Sequence, residues 1–221
     1  MKISEGLRLI KHPMHPWVFS RFSGDTLVRF GDYCANLRLA EQFRHRSGAI
    51  VECGTWRGGM IAGLASRFGP GRAYYLFDSF EGLPAAQEID GDSARRWQAD
   101  TRSPEYYDNC RASLEDAERA MRRAGVPNAK IVKGWFEETL PRAVIPEGIA
   151  LLRMDADWYA STRCVLDNLF HQVVPGGGVI VDDYHCWDGC ARAVHDFLSR
   201  EKRSERIRTF NDRVAYIIKN D

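Results

Sequence analysis

The chemistry-bearing residues of this chain begin with four aspartates placed where two apolar stretches end. Asp155 and Asp157 follow the segment IALLRM, and Asp182 and Asp183 follow GGVIV. Neighbouring carboxylates repel one another unless a cation lies between them, and oxygen ligands select Mg²⁺, Mn²⁺ or Ca²⁺. Asp is also a common helix cap, which explains one of the four more easily than all four. We therefore predict a divalent-metal site, with a remaining carboxylate free to accept a proton.

A glycine-containing loop, VECGTWRGG, follows another apolar segment and opens a helical pattern. A dinucleotide fingerprint would need glycine at position 56, where this chain has Trp56. A cofactor without phosphates has no such requirement, so S-adenosylmethionine is the better candidate. Glu52 can orient its amino acid end, and Asp78, at the end of the next strand, can accept both ribose hydroxyls. The alternative is that the loop binds no cofactor and is a simple turn flanked by two solvated carboxylates.

A third segment, Gly134–Phe136, ends the next predicted strand beside that loop. Its aromatic side chains can pack on an adenine, or they can belong to the core. The six cysteines are scattered, and we interpret them as reduced and packed like small apolar residues.

The elements that must position these residues alternate between strand and helix patterns. Such alternation predicts an α/β fold, a mostly parallel sheet with helices on both faces and ligands at the carboxyl ends of the strands. We expect residues 84–102 to form a long loop and residues 1–24 an irregular arm or lid. The predicted strands cover residues 49–54, 73–80, 129–136, 149–157 and 177–184, with a closing strand pair. The predicted helices cover residues 25–45, 58–67, 103–124, 162–173 and 189–203.

Composition excludes several functional classes. The 221 residues carry 31 Lys+Arg and 30 Asp+Glu, so the formal net charge of +1 argues against a nucleic-acid-binding protein. No apolar run approaches the ~20 residues of a membrane span, and the first residues lack the apolar stretch of a signal peptide. We expect a cytoplasmic protein that binds neither nucleic acid nor membrane.

Five blocks of this sequence, in order and spacing, resemble the macrocin O-methyltransferase (TylF-type) family. They are VECGTWRGG, FDSFEGLP, VKGWFEETLP, LLRMDADWYAST and GGGVIVDDYHCWDGCARAVHDF, within residues 49–198. The resemblance implies a Rossmann-like class I methyltransferase fold with a seven-stranded sheet, and dependence on S-adenosylmethionine and a divalent metal. It assigns Glu52, Gly54, Trp56 and Gly58 to the cofactor loop, Asp78 and Ser79 to the ribose, Gly134 and Trp135 to the adenosine, Asp155, Asp182 and Asp183 to the metal, and Asp157 to the general base.

The leading functional hypothesis is methylation of a sugar hydroxyl on a glycosylated or aminoglycoside natural product, in antibiotic biosynthesis. N-methylation of an amino sugar is a close alternative. A glycosyltransferase using Asp155 and Asp157 with its metal, or a binding protein without catalysis, represents other classes. We expect residues 1–48 to serve as a lid or oligomer contact, and residues 49–221 to form the methyltransferase domain.

Overall fold

The computed structural model describes residues 14–221, and it contains one seven-stranded sheet. The strand order is β3-β2-β1-β4-β5-β7-β6; the first five pair in parallel, and β7 runs antiparallel to both β5 and β6. This arrangement confirms the predicted mostly parallel sheet. The strands are β1 (Ala49–Cys53), β2 (Tyr74–Asp78), β3 (Lys130–Lys133), β4 (Ile149–Met154), β5 (Val173–Val181), β6 (Arg208–Phe210) and β7 (Val214–Ile218).

Helices cover both faces of the sheet. They are α1 (Met14–Phe22), α2 (Phe30–Ala40), α3 (Gly59–Phe68), α4 (Gly91–Ala99), α5 (Leu114–Arg123), α6 (Phe136–Thr139), α7 (Tyr159–Leu169) and α8 (Asp188–Arg200). Short 3₁₀ segments occur at Ser23–Asp25, Glu41–Phe43, Glu88–Asp90, Leu140–Arg142, Phe170–Gln172 and Asp182–His185. No helix within residues 14–221 is both long and apolar enough to cross a membrane.

Two apolar cores lie on opposite faces of the sheet, as strand alternation requires. Ile50 of β1 belongs to the core with α1, α2, α3 and α5, whereas its neighbour Val51 belongs to the core with α7 and α8. All five residues of β1 are buried, which is typical of a central parallel strand. The site-bearing strands are therefore held rigidly from both sides.

The amino-terminal segment is more helical than predicted. Residues 1–13 of the predicted arm lie outside the described part, and α1 begins at Met14 although an irregular arm was expected up to residue 24. Pro16 is compatible with this helix because it falls in the first turn, where a missing N–H costs little. The predicted helix over residues 25–45 is shorter, since α2 spans only Phe30–Ala40.

The predicted loop over residues 84–102 is wrong, because part of it forms the 3₁₀ turn Glu88–Asp90 and helix α4. The sequence concealed α4 because Ala94 is its only buried residue, so no apolar period marks it. A capping box marks the preceding 3₁₀ turn, where the Gln87 and Asp90 side chains accept each other's backbone N–H groups, whereas α4 itself starts without a side-chain cap.

The helix predicted from Ser103 begins later. Residues Tyr107–Cys110 have positive φ angles, and α5 starts only at Leu114. Ser113 is its cap, since the Ser113 hydroxyl accepts the Asp116 N–H at 3.2 Å. The third predicted strand is also shorter than expected, because α6 starts at Phe136.

Candidate active site

The carboxyl ends of β1, β2, β4 and β5 open into one cavity of about 600 Å³. This is where an open α/β sheet places its ligands. Ten of the predicted site residues line it: Glu52, Gly54, Trp56, Asp78, Ser79, Trp135, Asp155, Asp157, Asp182 and Asp183. These ten predicted residues, from both the cofactor and the metal set, thus share one continuous space.

Gly54 lets the loop after β1 pass very close to the end of β4. Its φ angle is +80°, and a Cβ atom built on it would lie 1.7 Å from the Asp155 carbonyl oxygen. The two strand ends are joined here by a hydrogen bond from the Asp155 N–H to the Cys53 carbonyl at 2.9 Å. Only glycine fits both the conformation and the space.

Asp78 holds the same loop from the β2 side. Its Oδ2 accepts the backbone N–H groups of Thr55 at 2.7 Å and Trp56 at 2.8 Å, and its Oδ1 accepts that of Phe80 at 2.7 Å. Burial raises the pKa of Asp78 and outweighs these hydrogen bonds, which favour the charged form. The loop conformation, including the positive φ of Trp56, depends on this carboxylate.

The other predicted cofactor residues shape turns around this loop. Gly58 caps α3 at φ +79°, and Gly134 has φ +144°; among residues 14–221 neither glycine is on the cavity wall. The Ser79 hydroxyl donates to the Gly82 carbonyl and accepts the Glu81 N–H, each at 3.1 Å. Trp135 precedes α6 in an extended conformation.

Arg153, which the sequence interpretation did not single out, lies between the cofactor loop and the aspartates. It is 0% exposed, as is Glu52, which faces it in the register of β1 and β4. Arg153 Nη1 donates to Glu52 Oε1 at 2.9 Å and to Asp155 Oδ2 at 3.0 Å, and Nη2 lies 2.7 Å from Asp182 Oδ1. The sequence does contain a signal, which is a single arginine inside an otherwise apolar strand. Because a buried charge must be paired, such an arginine indicates carboxylates beside it.

Asp182 is turned toward that arginine. Besides the ion pair with Arg153, its Oδ1 accepts the Asn36 side-chain N–H at 3.3 Å, and Asn36 in turn accepts from Arg153 Nε at 3.2 Å. Asn36 belongs to α2, so the amino-terminal part of the chain contributes to the site. The sequence predicted a lid or an oligomer contact for residues 1–48, but not this contact of Asn36.

The tightest carboxylate group consists of Asp155, Asp157 and Asp183, which offer one oxygen each within 4.8 Å of one another. Asp157 has φ +54°, and its backbone N–H donates to Asp183 Oδ2 at 2.9 Å. The indole N–H of Trp187 donates to Asp157 Oδ1 at 3.1 Å. The turn at Asp157 and the 3₁₀ segment at Asp182–His185 bring the two strand ends together.

These carboxyl groups disfavour their charged forms. Burial, followed by neighbouring carboxylates, raises the pKa of Asp157 to about 8 and that of Asp183 well above its usual range. For Asp155, burial outweighs the charge of Arg153 and raises the pKa to about 6. Within residues 14–221, Asp157 and Asp183 receive only neutral N–H donors. A hard divalent cation fits this donor set, because it would supply the missing positive charge.

Tryptophans form the wall beside the acidic group. Trp97, Trp158 and Trp187 pack edge to face, with ring centroids 5.3–6.1 Å apart. Trp97 comes from α4, inside the segment predicted to be a loop, so the sequence interpretation missed this wall. The three tryptophans are far apart in the chain, and only the fold brings them together.

Comparison with known proteins matches residues 38–219 to the family model described as macrocin-O-methyltransferase (TylF). The chain belongs to the TylF family. The match covers most of the chain and begins within α2, ahead of the first site strand.

Characterised relatives of this TylF-family chain are named as O-methyltransferases. A tetracenomycin-C rhamnosyl 4'-O-methyltransferase from Streptomyces olivaceus is 37% identical over 182 residues, which cover 79% of this chain and 66% of the relative. Mycinamicin III 3''-O-methyltransferase from Micromonospora griseorubida is 32% identical, covering 72% of this chain and 64% of the relative. Demethyldecarbamoylnovobiocin O-methyltransferase from Streptomyces niveus is 35% identical, with coverages of 74% and 63%. The chain thus spans slightly less than two thirds of their lengths.

Solved structures agree on the fold. The O-methyltransferase NovP superimposes with a TM-score of 0.71 at 29% identity, covering 85% of this chain and 81% of NovP. The calicheamicin methyltransferase CalS11 gives a TM-score of 0.64 at 21% identity, with coverages of 96% and 93%. These likenesses bear out the Rossmann-like class I architecture expected from the sequence.

Proposed function

We propose that this chain transfers a methyl group from S-adenosylmethionine to a sugar hydroxyl of a glycosylated natural product, with the help of a divalent cation. One observation carries the proposal. A single cavity is lined both by the loop that Asp78 holds and by three carboxylates whose oxygens lie within 4.8 Å of one another. The names of two TylF-family relatives, which mention a rhamnosyl-tetracenomycin and mycinamicin III, support the substrate class.

Glu52 and Asp78 are the cofactor-binding carboxylates in this proposal. Glu52 Oε2 is buried and has no hydrogen-bond partner within residues 14–221, although Glu52 lines the cavity. An ammonium group would satisfy that oxygen, which fits the amino acid end of S-adenosylmethionine. Three backbone N–H groups already occupy the Asp78 carboxylate, so it keeps about one of four acceptor sites for a ribose hydroxyl. Trp135 offers an aromatic surface for the adenine. The cofactor would supply an electrophilic methyl group.

Asp155 and Asp183 are the proposed cation ligands, and Asp157 is the proposed general base. A bound cation would lower the pKa of an acceptor hydroxyl held beside it. Asp157 would accept the hydroxyl proton, while the Trp187 indole N–H donates to its Oδ1. Asp182 remains a proposed third ligand, and it would have to be shared with Arg153 and Asn36.

Residues 1–48 are proposed as a lid over this cavity. Thr26, Leu27, Val28 and Arg29, which precede α2, line the cavity. Arg29 forms an exposed ion pair with Glu105 at 3.2 Å, and the Glu105 carbonyl accepts the Trp97 indole N–H, so this segment contacts the chain that follows α4. Such closure would exclude water from the reacting groups.

A methyl-transfer assay with and without EDTA tests the function. Purified protein is incubated with S-adenosylmethionine, MgCl₂ and a panel of rhamnosides and aminoglycosides, and the products are analysed by mass spectrometry. We expect a product heavier by one CH₂ group (about 14 Da), with the added mass on a sugar fragment, and we expect EDTA to reduce its formation. Fragments that carry the mass on nitrogen would favour the amino-sugar alternative.

Calorimetric titration separates the remaining classes. Binding of S-adenosylhomocysteine without binding of a nucleoside diphosphate is the expected outcome. The reverse result would indicate a glycosyltransferase, and binding of neither would contradict the proposal.

A further inference from the structure

Two of the clustered tryptophans face the cavity. Trp158 is 1% exposed and belongs to the protein interior, whereas Trp97 and Trp187 are partly exposed and line the cavity. Their ring centroids lie 6.1 Å apart at an interplanar angle of 61°. The edge-to-face arrangement leaves indole surface of both residues available to a ligand.

The indole N–H groups of Trp97 and Trp187 already donate hydrogen bonds within the protein. Trp97 Nε1 donates to the Glu105 carbonyl at 2.9 Å, and Trp187 Nε1 donates to Asp157 Oδ1 at 3.1 Å. The two residues therefore offer carbon surface, without a hydrogen-bond donor, to whatever lies against them. A ligand group that binds here must present an apolar face.

The same hydrogen bond fixes this apolar surface next to a carboxylate. A group lying on Trp187 is within reach of Asp157, so hydroxyls at its edge can meet the proposed general base. A pyranose ring combines these properties, because its C–H groups form an apolar face and its hydroxyls project from the rim. We infer that Trp97 and Trp187 form the subsite for the sugar ring of the acceptor; this inference rests on the proposed function.

The wall that carries Trp97 is fixed in place. Asp90, just before α4, is buried, and its Oδ1 accepts the Tyr159 N–H at 2.7 Å, at the start of α7. Gln98 donates to the Pro84 carbonyl at 2.9 Å and to Asn109 Oδ1 at 3.0 Å. A rigid wall orders the ligand that it contacts at little entropic cost.

Variants of Trp97 test the subsite. The probes are methyl α-L-rhamnopyranoside and 4-nitrophenyl α-L-rhamnopyranoside, since one relative's name includes a rhamnosyl group. We expect Trp97→Ala and the bulkier Trp97→Leu to raise KM for both probes about tenfold or more, while the Kd for S-adenosylhomocysteine stays unchanged. Trp17→Ala is the matched control, because Trp17 is an exposed tryptophan on α1 outside the cavity wall.

Trp187→Phe separates the two roles of Trp187. Phenylalanine keeps an aromatic face but lacks the N–H that Asp157 accepts, so kcat should fall while KM for the probes changes less than in Trp97→Ala. Circular dichroism and melting of each variant establish that it is folded. Trp97→Leu, which retains apolar volume, provides the comparison where Trp97→Ala does not fold.

Several results would overturn the subsite. One is an unchanged KM in Trp97→Leu, and another is an equal loss of S-adenosylhomocysteine affinity, which would indicate a structural role. A KM change confined to the nitrophenyl probe would assign the indoles to an aglycone instead. If turnover is too slow for KM to be measured, saturation-transfer NMR in the presence of S-adenosylhomocysteine and MgCl₂ detects binding of the two probes. The subsite is contradicted if the wild-type protein binds S-adenosylhomocysteine but neither probe. Failure to bind S-adenosylhomocysteine would instead contradict the proposed function itself.

Discussion

At the scale of single residues, Asp157 stands out by its backbone conformation. Its φ of +54° lies in the left-handed region, which few residues other than glycine adopt, although Asp tolerates it better than most. The conformation is maintained by the hydrogen bond from its own N–H to Asp183, while Trp187 binds its side chain. The carboxylate is thus aimed by two independent contacts, as expected of a group that must meet a reacting atom.

The substitution Asp157→Asn tests this assignment. Asparagine keeps the shape of the side chain but cannot accept a proton, so kcat for methyl transfer should fall by about 10²- to 10⁴-fold. The Kd for S-adenosylhomocysteine, measured by calorimetry, should stay unchanged. Asp196→Asn, an exposed position on α8, is the control. Turnover of Asp157→Asn at the wild-type rate under excess metal would remove Asp157 from the mechanism.

At the scale of elements, the contact between β1 and β4 determines how the loop and the acidic strand end meet. Gly54→Ala would place a methyl group against the Asp155 carbonyl in a backbone region unfavourable to alanine. We expect a loss of about 3 kcal/mol in the free energy of unfolding, measured by urea titration. Gly71→Ala, where a Cβ atom meets nothing within 4 Å, should cost far less. Equal stability of the two variants would mean that the strand ends separate easily.

The loop between α8 and β6 supplies a pH-dependent contact. Burial raises the pKa of Glu205, but hydrogen bonds from Arg203 and the Asn220 N–H outweigh burial, so the pKa lies below its usual range. The charged form therefore stabilises the fold above the usual pKa of glutamate, and this contribution is lost as pH falls through the lowered pKa. Glu205→Gln should lower Tm at neutral pH, and its difference from wild type should shrink below about pH 4.

The exposed Glu201→Gln is the control for that measurement. A Tm difference for Glu205→Gln that stays constant from neutral to acidic pH would show that packing, rather than charge, is responsible.

Strand ends were the predictable part of this molecule. The sequence alone shows the apolar runs that stop at Glu52-Cys53-Gly54, Asp78 or Asp155. Parallel pairing then brings the ends of these strands to the same edge of the sheet. The partner of Asp182 was not predictable, because it depends on the register that sets Arg153 beside Glu52 and on Asn36 from α2. Helix α4 was missed for a different reason, because Ala94 is its only buried residue and no apolar spacing marks the helix.

At the scale of the whole molecule, a cation at the acidic group should stabilise the fold. Ligands that bind only the native state raise Tm by mass action. We expect MgCl₂ or MnCl₂ to raise Tm of the wild type, measured by scanning calorimetry, and EDTA to reverse the effect. Asp183→Asn should abolish the increase, whereas Asp196→Asn should retain it. An increase that persists in Asp183→Asn would locate the cation elsewhere.

The guanidinium of Arg153 links Glu52, on the proposed cofactor side of the cavity, to Asp155 and Asp182, so ligand binding on the two sides should be coupled. One nitrogen, Nη1, serves both Glu52 and Asp155, and Nη2 serves Asp182. A ligand that engages Glu52 changes how much of that positive charge remains for the two aspartates, and a ligand at the aspartates changes what remains for Glu52. Linkage of this kind is reciprocal: whatever factor the first ligand imposes on the affinity of the second, the second imposes on the first.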